Sequence, residues 1–241
     1  MSQADGLAQH VPPGRVAWLP WLCASAVALL AFTVITWLMF TSAELNQLDR
    51  DWAVACKKHA ETHDGLREFL RRYFTHLGGT VFLAIVATAG TLAMAARQHW
   101  LLALTWVLAA GGGGLLNYEI KAVIDRPRPG PELRDPNLRV RHDSFPSGHA
   151  MGSTIGYGMC LYAGFVFIRR RGVRIALVIA TIVLVGLIGF SRIYLRAHWF
   201  SDILGGYALG SAWLLFSLAL GRWLAERRSR HAPRDECSRG A

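Results

Sequence analysis

Residues 16–40 read VAWLPWLCASAVALLAFTVITWLMF, a stretch without a charged side chain. A helix rises about 1.5 Å per residue, so about 20 apolar residues cross the core of a bilayer. Arg15 before the stretch and the small residues Ala24-Ser25-Ala26 within it are also typical of a cleaved signal peptide. The apolar part of a signal peptide, however, is about 7–15 residues long. We therefore expect an uncleaved transmembrane helix.

Five further charge-free runs follow, at 77–96, 100–118, 150–168, 175–190 and 203–221. The run 175–190 is the shortest, and Val173 and Ser191 can extend it towards the two interfaces. With 53% hydrophobic and 17% charged residues, the composition is not that of an ordinary soluble domain. The sequence predicts an all-α fold, a polytopic bundle of six transmembrane helices, in which Gly206 and Gly210 permit close helix packing.

The formal net charge of +10 comes from arginines that stand between or after the predicted spans. A nucleic-acid-binding protein would instead present a basic face on a soluble domain. Arginines are concentrated at 169–174 and in the C-terminal tail, as expected for the cytoplasmic side of a membrane protein. Both termini are then cytoplasmic, as tails 1–15 and 226–241 around a membrane domain at 16–225. We expect this domain in the plasma (inner) membrane.

The same topology puts segments 41–76, 119–148 and 191–202 on the periplasmic or extracellular side. Segment 41–76 contains six lysines and arginines, which is an objection because acidic neighbours count little in the charge rule. Its residues Leu66, Phe69, Leu70 and Tyr73 fall at helical spacing. An amphipathic helix on the outer interface and a solvated connecting helix are both consistent with this pattern.

Ionisable residues are concentrated in three segments at the outer ends of the predicted spans. They read KAVIDRPRP at 121–129, SFPSGH at 144–149 and SRIYLRAHWFSD at 191–202. Lys121, Arg128 and Arg192 supply three cationic donors, and the planar guanidinium group matches phosphate oxygens. We predict that they form an anion clamp, which binds a phosphoryl group and stabilises the charge that develops during its transfer.

Ser147 and Gly148 stand where the fourth helix is predicted to begin. The first backbone N–H groups of a helix have no partner within the helix, and the helix dipole attracts an anion to them. Glycine permits close approach to this end, and Ser147 adds a hydroxyl group. These two residues are therefore predicted to bind phosphate together with the clamp.

Two histidines supply groups for bond making. Asp202 lies one helical turn after His198, so its carboxylate can hold one ring nitrogen as N–H and leave the lone pair of the other free. We expect His198 to attack phosphorus as the nucleophile, and His149 to protonate the leaving oxygen and then activate water. Asp202 can also cap the sixth helix, and both roles can hold together. A metal site built from these three residues is disfavoured by the three neighbouring cations.

The patterns Lys-x6-Arg-Pro, Pro-Ser-Gly-His and Ser-Arg-x5-His-x3-Asp resemble the motifs of the type 2 phosphatidic acid phosphatase superfamily, which includes lipid phosphatases and vanadium haloperoxidases. All three are present in order and at full spacing. The resemblance implies a metal-independent mechanism through a phosphohistidine, without a cofactor, and six spans disfavour a haloperoxidase. Its spacing selects Arg128 for the clamp rather than Arg126. Arg126 can assist the clamp or face water, and we favour the second alternative. Anchoring at the interface is the simplest interpretation of Arg196.

The sequence thus predicts an integral-membrane phosphatase that hydrolyses a phosphomonoester or diphosphate head group of a lipid. Undecaprenyl diphosphate, phosphatidylglycerol phosphate, phosphatidic acid and lipid A phosphates are all consistent with the resemblance. One alternative is a phosphotransferase, which passes the phosphate to a lipid or sugar rather than to water. Another is a non-catalytic protein that binds or transports an anionic lipid.

Overall fold

The computed structural model describes residues 16–138 and 143–231, and every regular element within these ranges is helical. The predicted tail 1–15 and residues 232–241 of the C-terminal tail lie outside the described residues. The helices are α1 (Leu19–Thr41), α2 (Ala43–Thr62), α3 (Asp64–Phe69), α4 (Thr75–Leu77), α5 (Thr80–Ala96), α6 (Trp100–Val107), α7 (Gly113–Ile124), α8 (Gly148–Phe167), α9 (Arg171–Tyr194) and α10 (Phe200–His231), with π-helical turns at Leu70–Phe74 and Leu108–Gly112.

In the described part of the chain, six helical stretches are long and apolar enough to cross a membrane. They are Leu19–Thr41, Asp64–Ala96, Trp100–Ile124, Gly148–Phe167, Arg171–Tyr194 and Phe200–Arg230. The six predicted spans and the all-α polytopic fold are thereby confirmed. The short fifth run extends at both ends, as the apolar and small residues that flank it predicted.

Helix α10 forms the centre of the bundle, where it packs against α1, α6 and α8. The peripheral helices expose large apolar side chains outwards, such as Val27, Val81 and Val123. Apolar faces of this extent are unfavourable in water and match the acyl chains of a bilayer. The bundle therefore has a packed interior and a surface suited to lipid.

Two glycines of α10 allow this helix to lie close to the N-terminal end of α8. A Cβ atom at Gly206 would lie 2.8 Å from the carbonyl oxygen of Ser147, and one at Gly210 would lie 2.9 Å from that of Met151. Both distances are too short for a side chain, so a larger residue would force the two helices apart. The packing role predicted for these glycines is confirmed, and the packing brings Ser147 next to the start of α10.

The segment 41–76 folds as α2, α3, a π-helical turn and α4 over one end of the bundle. Its buried residues Cys56 and Leu70 belong to a core cluster with Ile193 of α9 and Ile203 of α10. Neither predicted alternative includes this contact, in which the inner face of the segment packs against protein while Phe69 stays half exposed. The segment therefore covers the ends of the helices that carry the motif residues.

Candidate active site

The three motif segments meet at one end of the bundle, beneath α2. Lys121 lies in the last turn of α7, Ser147 is the N-cap of α8, and Arg192 lies in the last turn of α9. His198 lies in the turn before α10, and Asp202 lies in the first turn of that helix. Hydrogen bonds connect the first segment to both of the others. The predicted convergence of the three segments is confirmed.

His198 is held at both ring nitrogens. Its Nε2 atom lies 3.1 Å from Nη1 of Arg128, and its Nδ1 atom lies 3.3 Å from Oδ2 of Asp202. A guanidinium group only donates hydrogen bonds, so Nε2 is the acceptor and carries the lone pair. Nδ1 then carries the hydrogen and donates it to the carboxylate. This tautomer directs a nucleophilic lone pair towards the arginine.

The protonation state of His198 agrees with this tautomer. The side chain is buried, with 4% of its surface exposed. Burial lowers the pKa of His198 to about 3, and the charges of Arg128 and Arg192 act in the same direction, against the hydrogen bond to Asp202. The imidazole is therefore neutral at neutral pH, which is the form that can attack an electrophile.

Asp202 is fully buried and accepts hydrogen bonds at both carboxylate oxygens. Besides His198, Oδ2 accepts from the hydroxyl of Ser144 and, at 2.9 Å, from the backbone N–H of Trp199. Because α10 begins at the next residue, the Trp199 bond also caps this helix, so both predicted roles of Asp202 are present together. Ser144 was not among the predicted site residues, although it stands at the start of the second motif segment.

The three predicted clamp cations surround the histidine from different elements. Nζ of Lys121 donates to the carbonyl oxygens of Asp143 and Ser144, each at 3.1 Å. Arg192 is 4% exposed, and its Nε atom is one of the buried side-chain atoms without a hydrogen-bond partner in the described structure. A buried donor without an acceptor is costly, and a phosphoryl oxygen would satisfy it. The arrangement is therefore suited to an anion.

The N-terminal end of α8 lies between these cations and α10. The Ser147 hydroxyl accepts a hydrogen bond from the N–H of Ala150 at 3.5 Å. The backbone N–H of Ser147 donates to the carbonyl oxygen of Asp202 at 3.0 Å. A Cβ atom at Gly148 would lie 3.2 Å from Oδ1 of Asn117 on α7. Because α7 lies this close, only glycine fits easily at position 148, and the polar side chain of Asn117 lies next to the N-terminal end of α8.

His149 follows directly in the chain and lies against the junction between segment 41–76 and α5. A Cβ atom at Gly78 would lie 3.1 Å from Cδ2 of its ring, so the ring packs closely against the backbone of Gly78. The ring interacts with the backbone of Thr75 and lies within electrostatic range of Arg192 and His198. The hydroxyl of Thr75 accepts a hydrogen bond from Arg192 at 3.2 Å. Thr75 thus holds a predicted clamp cation close to the predicted acid, and no sequence pattern indicated this role.

Arg126 does not face water, so the favoured interpretation of this residue was wrong. Only 11% of its side chain is exposed. Nη1 donates to Oδ1 of Asp202 at 2.6 Å, and Nη2 donates to Oδ2 of Asp49 at 2.8 Å. The two carboxylates compensate the charge of the buried guanidinium group, which explains why it leaves the solvent.

Arg196 is likewise not an interfacial anchor, because its side chain is buried among backbone carbonyl groups. It is 4% exposed and donates to the carbonyl oxygens of Leu133 at 2.5 Å and of Tyr194 at 2.9 Å. Its backbone is in the left-handed region, with φ of 53°. Arg196 therefore fixes the turn that carries His198.

A cavity of about 190 Å³ lies beside the site, between α5, α7 and α8. Its walls are mostly glycine and apolar side chains, and they include Leu83, Gly114 and Gly152. Gly148 also lines it, so the cavity reaches the N-terminal end of α8. A dry apolar cavity of about 150 Å³ can hold a molecule as large as benzene. This one is suited to a short length of hydrocarbon.

Comparison with known proteins gives consistent matches. A family model described as the PAP2 superfamily matches residues 100–225, which include all three motif segments. Phosphatidylglycerophosphatase B of Bacillus subtilis (strain 168) is 34% identical over 151 residues, which are 61% of this chain and 70% of that protein. The crystal structure of the first transmembrane PAP2 type phosphatidylglycerolphosphate phosphatase from Bacillus subtilis has a TM-score of 0.69 and 24% identity to this chain. The match covers 88% of this chain and 98% of the Bacillus subtilis chain, so the two proteins have the same fold.

Proposed function

This chain belongs to the PAP2 superfamily, as one of its membrane phosphatases, and from that premise we propose that it hydrolyses a lipid phosphate through a phosphohistidine on His198. The observation that carries the proposal is the pair of contacts at the ring nitrogens of His198, from which its tautomer follows. One nitrogen is fixed as a donor to Asp202, and the lone pair of the other meets Arg128. This arrangement is the one that nucleophilic attack at a bound phosphoryl group requires.

In the proposed reaction, Lys121, Arg128, Arg192 and the N-terminal end of α8 bind the phosphoryl oxygens. Nε2 of His198 forms a bond to phosphorus while the bond to the lipid oxygen breaks. The imidazolium form of His149 donates its proton to this oxygen, and the lipid product departs. Neutral His149 then takes a proton from water, whose oxygen attacks the phosphohistidine. The P–N bond breaks, and inorganic phosphate leaves with His198 restored.

We propose a lipid head group as the substrate because of the cavity beside the site. Gly148 belongs both to the wall of the cavity and to the predicted phosphate-binding end of α8. A hydrocarbon chain in the cavity and a phosphate at the helix end can therefore belong to one molecule. The name of the Bacillus subtilis relative makes phosphatidylglycerol phosphate the first lipid to test, followed by undecaprenyl diphosphate and phosphatidic acid.

We propose that the site faces the periplasm or the cell exterior. The support is the distribution of positive charge. Arginines are concentrated at 169–174, around the junction of α8 and α9, and at 227–230, in the last turns of α10. These ends of the helices are opposite to the ends that carry the site. Clusters of lysine and arginine are typical of the cytoplasmic side of membrane proteins. A cysteine introduced at position 51, on the outer segment, should react with a membrane-impermeant maleimide in intact cells.

The test is phosphate release by purified protein from each lipid, in detergent with a chelator of divalent metal ions. Release without added acceptor supports hydrolysis, and release only after an acceptor is added would favour phosphotransfer. The His198→Ala variant should release no phosphate while still inserting into the membrane. His63→Ala is the matched control, because this exposed histidine lies on segment 41–76 and outside the three motif segments. Full activity of His198→Ala would refute the proposal.

A further inference from the structure

A buried chain of charged groups runs from the proposed nucleophile to the outer segment. Asp202 contacts His198 through Oδ2 and Arg126 through Oδ1, and Arg126 contacts Asp49 of α2. Asp49 is 2% exposed, although it belongs to a segment that is otherwise largely exposed. Its Oδ1 atom accepts from the N–H of Ser201 at 2.9 Å, and its Oδ2 atom accepts from the Ser201 hydroxyl at 2.6 Å. Helix α2 is thus bonded to the residue that directly precedes Asp202.

Opposite charges alternate along this series of contacts. Arg126 lies between two carboxylates, at 2.6 Å from Asp202 and 2.8 Å from Asp49. Hydrogen bonds between charged groups at such distances are short and strong, and the guanidinium group fixes their direction. Removing one member of a buried set leaves the others without compensation. The orientation of the Asp202 carboxylate therefore depends on Arg126 and, through it, on Asp49.

Among the contacts from His198 to Asp49, the one between Asp202 and His198 is the longest. At 3.3 Å it is less favourable than the 2.6 Å contact on the other side of the carboxylate. Rotation of the carboxylate away from His198 would remove the acceptor of the Nδ1–H group and so weaken the preference for this tautomer. Arg126 opposes this rotation because it holds Oδ1.

We propose that Arg126 and Asp49 are positioning residues for His198 and act through Asp202. Neither residue touches the phosphate in this scheme. Arg126 keeps the carboxylate oriented, so that Nδ1 of His198 carries the hydrogen and Nε2 keeps its lone pair. Asp49 holds Arg126 in place and offsets its charge. The inference rests on the proposed function, since it concerns the nucleophile of that reaction.

A double-mutant cycle separates this role from a merely structural tie between α2 and the bundle. We expect Arg126→Ala to lower kcat by about 10- to 100-fold, the usual effect of losing a partner that orients a reactive side chain, with KM changed by less than about threefold. If Arg126 acts through Asp202, its loss adds little once the carboxylate is gone. Arg126→Ala combined with Asp202→Asn should therefore be no slower than Asp202→Asn alone. Multiplied effects of the two substitutions would overturn the proposal.

Slow variants are measured in single-turnover reactions with excess enzyme. Arg126→Lys keeps the charge and should recover part of kcat. If Arg126→Ala does not accumulate in the membrane, Asp49→Asn replaces it in the cycle. This variant keeps an oxygen for the N–H of Ser201, and its expected loss of about tenfold in kcat should also disappear beside Asp202→Asn. An Asp49→Asn effect that persists there overturns the proposal equally.

The matched control is Arg71→Ala, which removes an arginine of the outer segment from an exposed pair with Glu68 at 2.6 Å. Exposed pairs contribute little to stability, so kcat and melting temperature should stay near the wild-type values. Loss of activity in this control would show that any change in the segment disturbs the site, and would overturn the specific role of Arg126. Absence of phosphate release by the wild-type protein would instead refute the proposed function alone.

Discussion

Leucine in place of Gly114 is expected to impair hydrolysis of long-chain lipids and to spare hydrolysis of a soluble phosphate ester. Gly114 lines the cavity beside the N-terminal end of α8, and a Cβ atom added there would meet open space. The leucine side chain therefore fits without a shift of the backbone and occupies the cavity or its mouth. Gly111 provides the matched control, because a Cβ atom there also meets open space but the residue does not line the cavity.

The size of the effect follows from the hydrocarbon that the leucine displaces. Its four side-chain carbons take the place of about four carbons of the lipid chain. Burial of one methylene group is worth about 0.8 kcal/mol, so the loss is at most about 3 kcal/mol. Since 1.4 kcal/mol corresponds to a factor of ten, kcat/KM for the lipid should fall by up to about 100-fold. The loss should lie mainly in KM, because the groups that perform the chemistry are unchanged.

The assay compares two substrates in the same detergent, phosphatidylglycerol phosphate with long acyl chains and p-nitrophenyl phosphate. Gly114→Leu should lower kcat/KM for the lipid alone, whereas Gly111→Leu should change neither substrate by more than about twofold. Equal losses on both substrates would mean that the leucine disturbs the phosphate site. Unchanged hydrolysis of the lipid would refute the assignment of the cavity to the hydrocarbon chain.

The remaining predictions concern the histidine and its carboxylate. Asp202→Asn should lower kcat by about 10²- to 10⁴-fold, because an amide whose oxygen accepts from Arg126 presents its N–H to His198 and favours the wrong tautomer. The control is Asp51→Asn, which changes an exposed aspartate on α2. A loss below about threefold in Asp202→Asn would contradict the assignment. The pKa of His198 is about 3 in the folded protein against 6.5 ordinarily, so the unfolded chain takes up a proton that the folded one does not. The free energy of unfolding should be unaffected above about pH 6.5 and fall by about 1.4 kcal/mol per pH unit below it, down to about pH 3. Melting curves from about pH 7 to 4.5 should show faster loss of stability in the wild type than in His198→Gln, and parallel curves would contradict this.

The membrane fold could be predicted from sequence because the bilayer imposes its own length scale. A charge-free run of about 20 residues has few alternatives to a spanning helix. The alternation of the spans then brings the three motif segments to one face, so the meeting of Lys121, His149 and His198 followed without any contact being known. Local spacing also predicted the pairing of His198 with Asp202, which are one helical turn apart.

The contacts of Arg126 and Arg196 could not be predicted in the same way. Arg126 binds Asp49, a residue 77 positions earlier in the chain, and Arg196 binds the carbonyl of Leu133. Both pairings arise because the segment 41–76 and the loop near residue 133 fold back over the helix ends. Nothing in the local sequence distinguishes a buried arginine of this kind from one that faces water. The hydrophobic pattern of the outer segment indicated a helix but gave no information about the surface against which it packs.

Together with burial, the cations proposed to bind phosphate keep the proposed nucleophile neutral. A proton on His198 would add a further positive charge beside Arg128 and Arg192, which act on its pKa in the same direction as burial. A phosphoryl group relieves this repulsion and supplies an acceptor for Nε of Arg192. The carboxylate of Asp202, which would otherwise compete for the cations proposed to bind phosphate, is paired with Arg126. Two arginines separated by one proline thus divide the work, with Arg128 facing the nucleophile and Arg126 facing the carboxylate that orients it.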